Sequence, residues 1–184
     1  MDIKTAIQVI EDSVENPRVA LPEEIFYLIS RLTAMINVDL LIKDKDNQVL
    51  LSWRDTEFSG AGWHIPGGII RYKESLEDRI QKVALSEVGC KVHFDPNPLA
   101  ITQIEKHHAT RGHFLSILYR CYLPDDFNLN NGKKQETDPG YLQWHSTCPE
   151  NIVKVHDVIY KQVINNTNME YFSGKILYEY IENE

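Results

Sequence analysis

The chain has 184 residues and a formal net charge of −8, enough for one domain with additions and a core that needs no disulfides. The acidic balance argues against broad nucleic-acid binding, and no run approaches the ~20 apolar residues of a membrane span. Cys90, Cys121 and Cys148 are far apart and form no C-x-x-C pair, which points to a reducing compartment. Without a cationic leader and apolar core at the start, a cytoplasmic protein is expected.

In chain order, Ile3, Ala6, Ile7 and Ile10 predict a short amphipathic helix that Asn16-Pro17 ends. Pro22 opens a second helix through about Leu32. Residues 38–42 and 48–53 read as a hairpin through Lys43-Asp44-Lys45-Asp46-Asn47. Asp39 interrupts the apolar run Val38-Asp39-Leu40-Leu41-Ile42, and a buried acid there needs a partner. A strand over 63–66 leads into Gly67-Gly68. Ser75-Leu76-Glu77-Asp78 is a capping box, so a helix starts just after Ser75. Leu76, Ile80, Val83, Ala84 and Val88 follow at helical spacing, and Gly89 stops the run. Further strands are expected over 91–94, 99–105 and 114–122, with another ending at Trp144, before a helix over 153–164. In the tail, Tyr171, Phe172, Ile176, Leu177, Tyr180 and Ile181 fall at helix-like spacing after Gly174. The order predicts an α/β fold, a mixed β-sheet sandwiched between α-helices. The division is an N-terminal helical extension over 1–20, a core domain over 21–165 and a C-terminal helical extension over 166–184.

The chemistry concentrates in Gly67-Gly68-Ile69-Ile70-Arg71-Tyr72-Lys73-Glu74 and the helix closing on Ser86-Glu87-Val88-Gly89. The glycines allow positive φ and close backbone approach. Glu74 falls in the loop, where an ion pair with Lys82 can brace it against the helix, and Glu87 lies on a helix flank. A hard Mg²⁺ ion keeps several waters, so one carboxylate, a backbone carbonyl and substrate phosphates suffice for it. Each feature alone reads as an ordinary glycine turn or a solvated helix charge. Their conjunction favours a site.

This arrangement resembles the Nudix box, G-x5-E-x7-R-E-U-x-E-E-x-G-U with U apolar. The register holds at Gly68, Glu74, Glu87, Gly89 and Cys90. Lys82 stands where arginine is usual, and Val83 and Ser86 where glutamates are usual. The lost glutamates resemble the GDP-mannose mannosyl hydrolase branch, which cuts the sugar C–O bond rather than a diphosphate P–O bond. The likeness covers roughly residues 21–165.

The resemblance implies a Nudix fold and a Mg²⁺ ion, with Mn²⁺ as an alternative, held by the Gly67 carbonyl, Glu87 and Gln135 of the loop Gly132-Lys133-Lys134-Gln135-Glu136-Thr137-Asp138. Glu136 stands where the branch has a catalytic histidine; it reads equally as a general base or as a surface charge. Arg54 would grip the diphosphate. Ile69 replaces an arginine of the branch, a loss of ~3 kcal/mol of transition-state stabilisation, and Arg71 is the candidate substitute. His107 and His108 fall where the family has a histidine near the phosphates, and Phe114 where a substrate-contacting tyrosine is expected. Asp39 corresponds to a residue contacting the sugar or the reacting centre; the alternative is an inward charge satisfied by backbone. His64 and His145 read as structural. The implied partners are a small nucleotide sugar, GDP-mannose or GDP-glucose, and a second copy in a homodimer. Ordinary P–O cleavage and a non-catalytic nucleotide-sugar-binding module are the two other readings. Ile69 and the missing loop histidine favour the module.

Overall fold

The computed structural model describes residues 1–106, 108, 110–165 and 175–182. Helix α1 (Ile3–Asp12) is capped by Asp2, whose carboxylate accepts from the Thr5 N–H at 2.8 Å, and none of its residues is buried. Helix α2 (Glu23–Leu32) starts after Pro22 with Glu23 and Glu24 in its first turn, where acids complement the helix dipole.

Strand β1 (Met35–Ile42) is an interior strand of the larger sheet. Side chains alternate across a strand, so Val38, Leu40 and Ile42 face one core while Leu41 faces the other. Asp39 shares the Leu41 side. The remaining strands are β2 (Val49–Thr56), β3 (Gly60–His64), β4 (Gly67–Ile69), β5 (His93–Phe94), β6 (Ala100–Lys106), β7 (His113–Tyr122), β8 (Leu142–His145) and β9 (Lys175–Ile181). The larger sheet runs β4-β1-β7-β6-β9 with β5 on β7, and the smaller runs β3-β2-β8. β1 and β7 are parallel, as are β6 and β9, whereas β4 and β6 lie antiparallel to their neighbours β1 and β7. Helix α3 (Leu76–Val83) covers one face through Ile80 and Val83, and α4 (Lys154–Asn165) packs Ile159, Tyr160, Val163 and Ile164 into the core that both sheets share. The mixed sheet between helices is therefore as the element order implies. Among the described residues no helix is long and apolar enough to cross a membrane.

Two local expectations change. The turn between β1 and β2 forms, with Asp44 Oδ1 accepting from the Asp46 and Gln48 N–H groups at 2.9 and 2.8 Å. Beyond the Lys43–Val49 bridge, however, the two strands part into different sheets, because β1 pairs with β7 and β4 while β2 takes β3 and β8. The C-terminal segment is the strand β9, not a helix. It pairs parallel to β6, Ile101 opposite Ile176 and Glu105 opposite Tyr180. Its β-branched and aromatic residues suit a pleated edge, with Ile181 buried while Ile176 is 79% exposed. Tyr171, Phe172 and Gly174 lie outside the described residues.

Candidate active site

The loop from Gly67 to α3 is built by local capping and one saturated carboxylate. Ser75 Oγ accepts from the Asp78 N–H at 3.0 Å and starts α3. Glu74 takes Lys82 at 2.8 Å, the Arg79 guanidinium at 2.6 Å and the Arg71 N–H at 2.9 Å. Its side chain is 3% exposed. Burial alone would raise its pKa, but the bonds from Lys82, the Arg71 backbone and Arg79 outweigh that and hold it at about 2. The Lys82 brace is as expected. Arg79, five residues after Glu74, is the stronger partner that the sequence reading missed.

The double glycine answers to close approach rather than to positive φ, which neither residue adopts. A Cβ on Gly67 would strike Asp39 Oδ1, and one on Gly68 would meet Val83 Cγ2 at 2.9 Å. After α3 the helix widens into a π turn, Ala84–Val88, closed by Gly89 N–H to Ala84 O at 2.9 Å. Gly89 itself has φ 88°, which glycine adopts without penalty. The π turn carries Glu87, whose Oε1 accepts from the Gly67 N–H at 3.3 Å and whose Oε2 lies 3.1 Å from His64 Nε2.

Beside Gly67 opens a cleft of about 680 Å³. Asp39 lies in its wall, 3% exposed. Its carboxylate accepts from Asn37 Nδ2 at 3.0 Å and from the hydroxyls of Ser116 and Tyr160. Side chains, not backbone, thus satisfy it. Burial raises its pKa while the Ser116 and Tyr160 bonds oppose the rise. His156 also lines the cleft, its Nδ1 accepting from the Ile65 N–H at 3.0 Å. Burial, together with the charges of His64, Arg54 and Lys106, drives the His156 pKa well down and keeps it neutral.

The cations Arg54, Arg71, Lys106 and Arg111 all line the cleft, against the carboxylates of Asp39 and Glu23. Burial lowers the pKa of Arg71, Lys106 and Arg111. Phe26, Tyr27, Phe58 and Phe114 supply aromatic wall. In a chain of net charge −8, such local cation surplus focuses a positive potential on an anionic ligand.

The fold therefore gathers Asp39, Arg54, Gly67, Arg71, His108 and Phe114 around one cleft, with Glu87 bonded to the Gly67 amide. Gln135 and Glu136 are exposed and are not among the lining residues. Their loop is pinned elsewhere: the Gly140 N–H donates to Trp53 O at 2.8 Å and Lys134 Nζ to Gly140 O at 2.9 Å. The Glu136 charge acts on His145 instead. His107 lies outside the described residues. Sequence reading gave no site role to Phe26, Phe58, Lys106, Arg111 and His156; the cue for Lys106 and Arg111 was a basic turn, 106–111, between two strands.

Among the described residues no three or more His, Cys, Asp or Glu side chains gather as a metal cage. What the region offers is the Glu87 carboxylate beside the Gly67 backbone. The Gly67 group bonded to Glu87 is its N–H, which is no metal ligand, so a hard cation completed by water and substrate phosphates would rest on the Glu87 carboxylate, since Glu74 is committed to Arg79 and Lys82.

The NUDIX domain family model matches residues 33–162, well over half of the chain. The chain belongs to the Nudix family. A Nudix hydrolase from Nitrosomonas europaea has the same fold at 19% identity, with a TM-score of 0.53 and 80% of each chain covered. A structure described as a possible asymmetric diadenosine tetraphosphate hydrolase from Jonesia denitrificans aligns with a TM-score of 0.54 at 19% identity, over 72% of this chain and 94% of that one. The low-salt glycan biosynthesis protein Agl8 of Haloferax volcanii is 25% identical over 119 residues, 62% of this chain and 76% of that protein. Nudix hydrolases act on small nucleotide-containing molecules and generally use Mg²⁺ or Mn²⁺. In this Nudix domain the cationic cleft lies where the box loop, β1 and the β6–β7 turn meet.

Proposed function

We propose that this Nudix domain hydrolyses a nucleotide-diphospho-sugar, GDP-mannose or GDP-glucose first among candidates, at the sugar C–O bond. The observation that carries the proposal is the contrast within the box. Glu74 is locked by two cations, Arg79 and Lys82, whereas Glu87 is bonded only to the Gly67 N–H and to His64, which makes it the box carboxylate that would serve a cation, beside a cleft rich in arginine. A single cation bound there would stabilise charge on the departing diphosphate as a Lewis acid. Arg54 and Arg71 would hold the diphosphate, and the ring of Phe114 would flank the ligand. Asp39 would take the proton of the water attacking the anomeric carbon. The C–O bond to water then forms as the bond to the diphosphate breaks, releasing nucleoside diphosphate and free sugar. The likeness to Agl8, named for glycan biosynthesis, supports a sugar-linked substrate.

A second reading is binding without turnover. It is favoured by the exposed position of Glu136 outside the cleft lining and by the uncharged Ile69. ³¹P NMR of GDP-mannose with the protein and excess Mg²⁺ separates the readings. The proposal expects GDP. GMP with mannose 1-phosphate would show P–O cleavage, and tight binding with an unchanged spectrum would establish the binding module.

A further inference from the structure

The β6–β7 turn delivers one cation into the cleft with unusual care. Arg111 Cζ lies 4.5 Å from the ring centre of Phe58, 5.2 Å from Phe26 and 5.9 Å from Phe114. These rings come from the segment between β2 and β3, from α2 and from β7, so three separate parts of the chain converge on one guanidinium. Its backbone is fixed as well: the N–H groups of Thr110 and Arg111 both donate to His108 Nδ1 at 3.1 Å, and the His108 ring packs 5.7 Å from Phe58.

The electrostatics of Arg111 remain unbalanced. Its Nε is buried with no hydrogen-bond partner, and among the described residues no carboxylate forms an ion pair with it. Arg54 and Lys106 are close enough to repel it. Ring faces offset part of the cost of a half-buried cation, yet they leave its buried Nε–H without an acceptor. A guanidinium carries a planar fork of donors that matches phosphate oxygens.

We propose that Arg111 is a diphosphate-binding residue of this cleft, held among the rings of Phe26, Phe58 and Phe114, supplying the cation that Ile69 lacks. The inference rests on the nucleotide-sugar reading above. A purely structural Arg111 would only tie α2 to the turn.

Isothermal titration calorimetry with Mg²⁺ separates these roles, using pyrophosphate, GDP and GMP as probes on the full chain. Arg111→Met keeps an apolar stem on the rings and removes the charge. It is expected to weaken pyrophosphate and GDP by about tenfold or more, and GMP by less, with the thermal midpoint retained. If Arg111→Met does not fold, Arg111→Lys keeps the charge without the fork and is expected to weaken pyrophosphate by about threefold or more. Wild-type binding that neither substitution changes overturns the assignment to Arg111 and leaves the nucleotide-sugar reading standing. Wild-type protein that binds neither pyrophosphate nor GDP overturns both.

Discussion

Two charged regions of this Nudix domain behave in opposite ways. Around Glu74 every oxygen is spoken for by Arg79, Lys82 and the Arg71 amide. In the cleft lining, Arg71 and Arg111 each keep a buried Nε without a partner. The first region is a brace that shapes the loop. The second holds charge in readiness for something the protein does not itself supply. Among the cations of this region, whether charge is satisfied therefore separates brace from cleft better than position in the motif does, whereas the cleft carboxylates Asp39 and Glu87 both have hydrogen-bond partners.

The largest expected effect lies at Glu87. Glu87→Gln removes the box carboxylate left for a cation, and turnover of the nucleotide sugar should fall by roughly 10² to 10³, while the melting temperature changes little. Steady-state kinetics across a Mg²⁺ series checks this. A drop in stability with unchanged turnover would move Glu87 to the scaffold side of the comparison.

Glu74→Gln should do the reverse, costing stability of about 3 kcal/mol. The sign of the pH dependence follows from its depressed pKa. With 4.5 as the ordinary value and about 2 in the folded protein, the stabilisation is fully present above pH 4.5 and is lost as pH falls towards 2. Urea unfolding of wild type and variant at pH 7 and in acid should show the gap closing as pH drops. A constant gap would deny the brace its ionic character.

A smaller shift is expected at Asp39, whose pKa burial raises. Its carboxylate ionises only as pH climbs past that raised value, so the acid limb of the rate profile should lie above the ordinary aspartate range. Tyr160→Phe removes a donor that favours the ionised form. The limb should move further up, as pH–rate profiles of both proteins would reveal. An unmoved limb would mean that another group controls the reaction.

Glu136→Gln is the smallest perturbation. On an exposed loop outside the cleft lining, it should alter kcat less than about threefold if Asp39 is the proton acceptor. A hundredfold loss would show that the loop closes over the substrate and would transfer the base to Glu136.

Much of the box was legible in the sequence because its signals are local. Ser75 capping Asp78, Gly89 ending the helix and Lys82 facing Glu74 all follow from spacings of a few residues. The tail was misread because a short apolar stretch satisfies helical and strand periods alike, and only the open edge of β6 decides between them. The splaying of β1 from β2 likewise depends on which distant strand claims each one. The cradle around Arg111 was invisible for the same reason. Phe26, Phe58 and Phe114 share no spacing, and nothing but the tertiary fold brings them together.

The bond that breaks is the central claim, and isotopic water tests it most directly. With GDP-mannose hydrolysed in ¹⁸O-labelled water and the products read by mass spectrometry, the account predicts label in mannose and none in GDP. Label in a phosphate group would contradict it and return this chain to ordinary diphosphate cleavage.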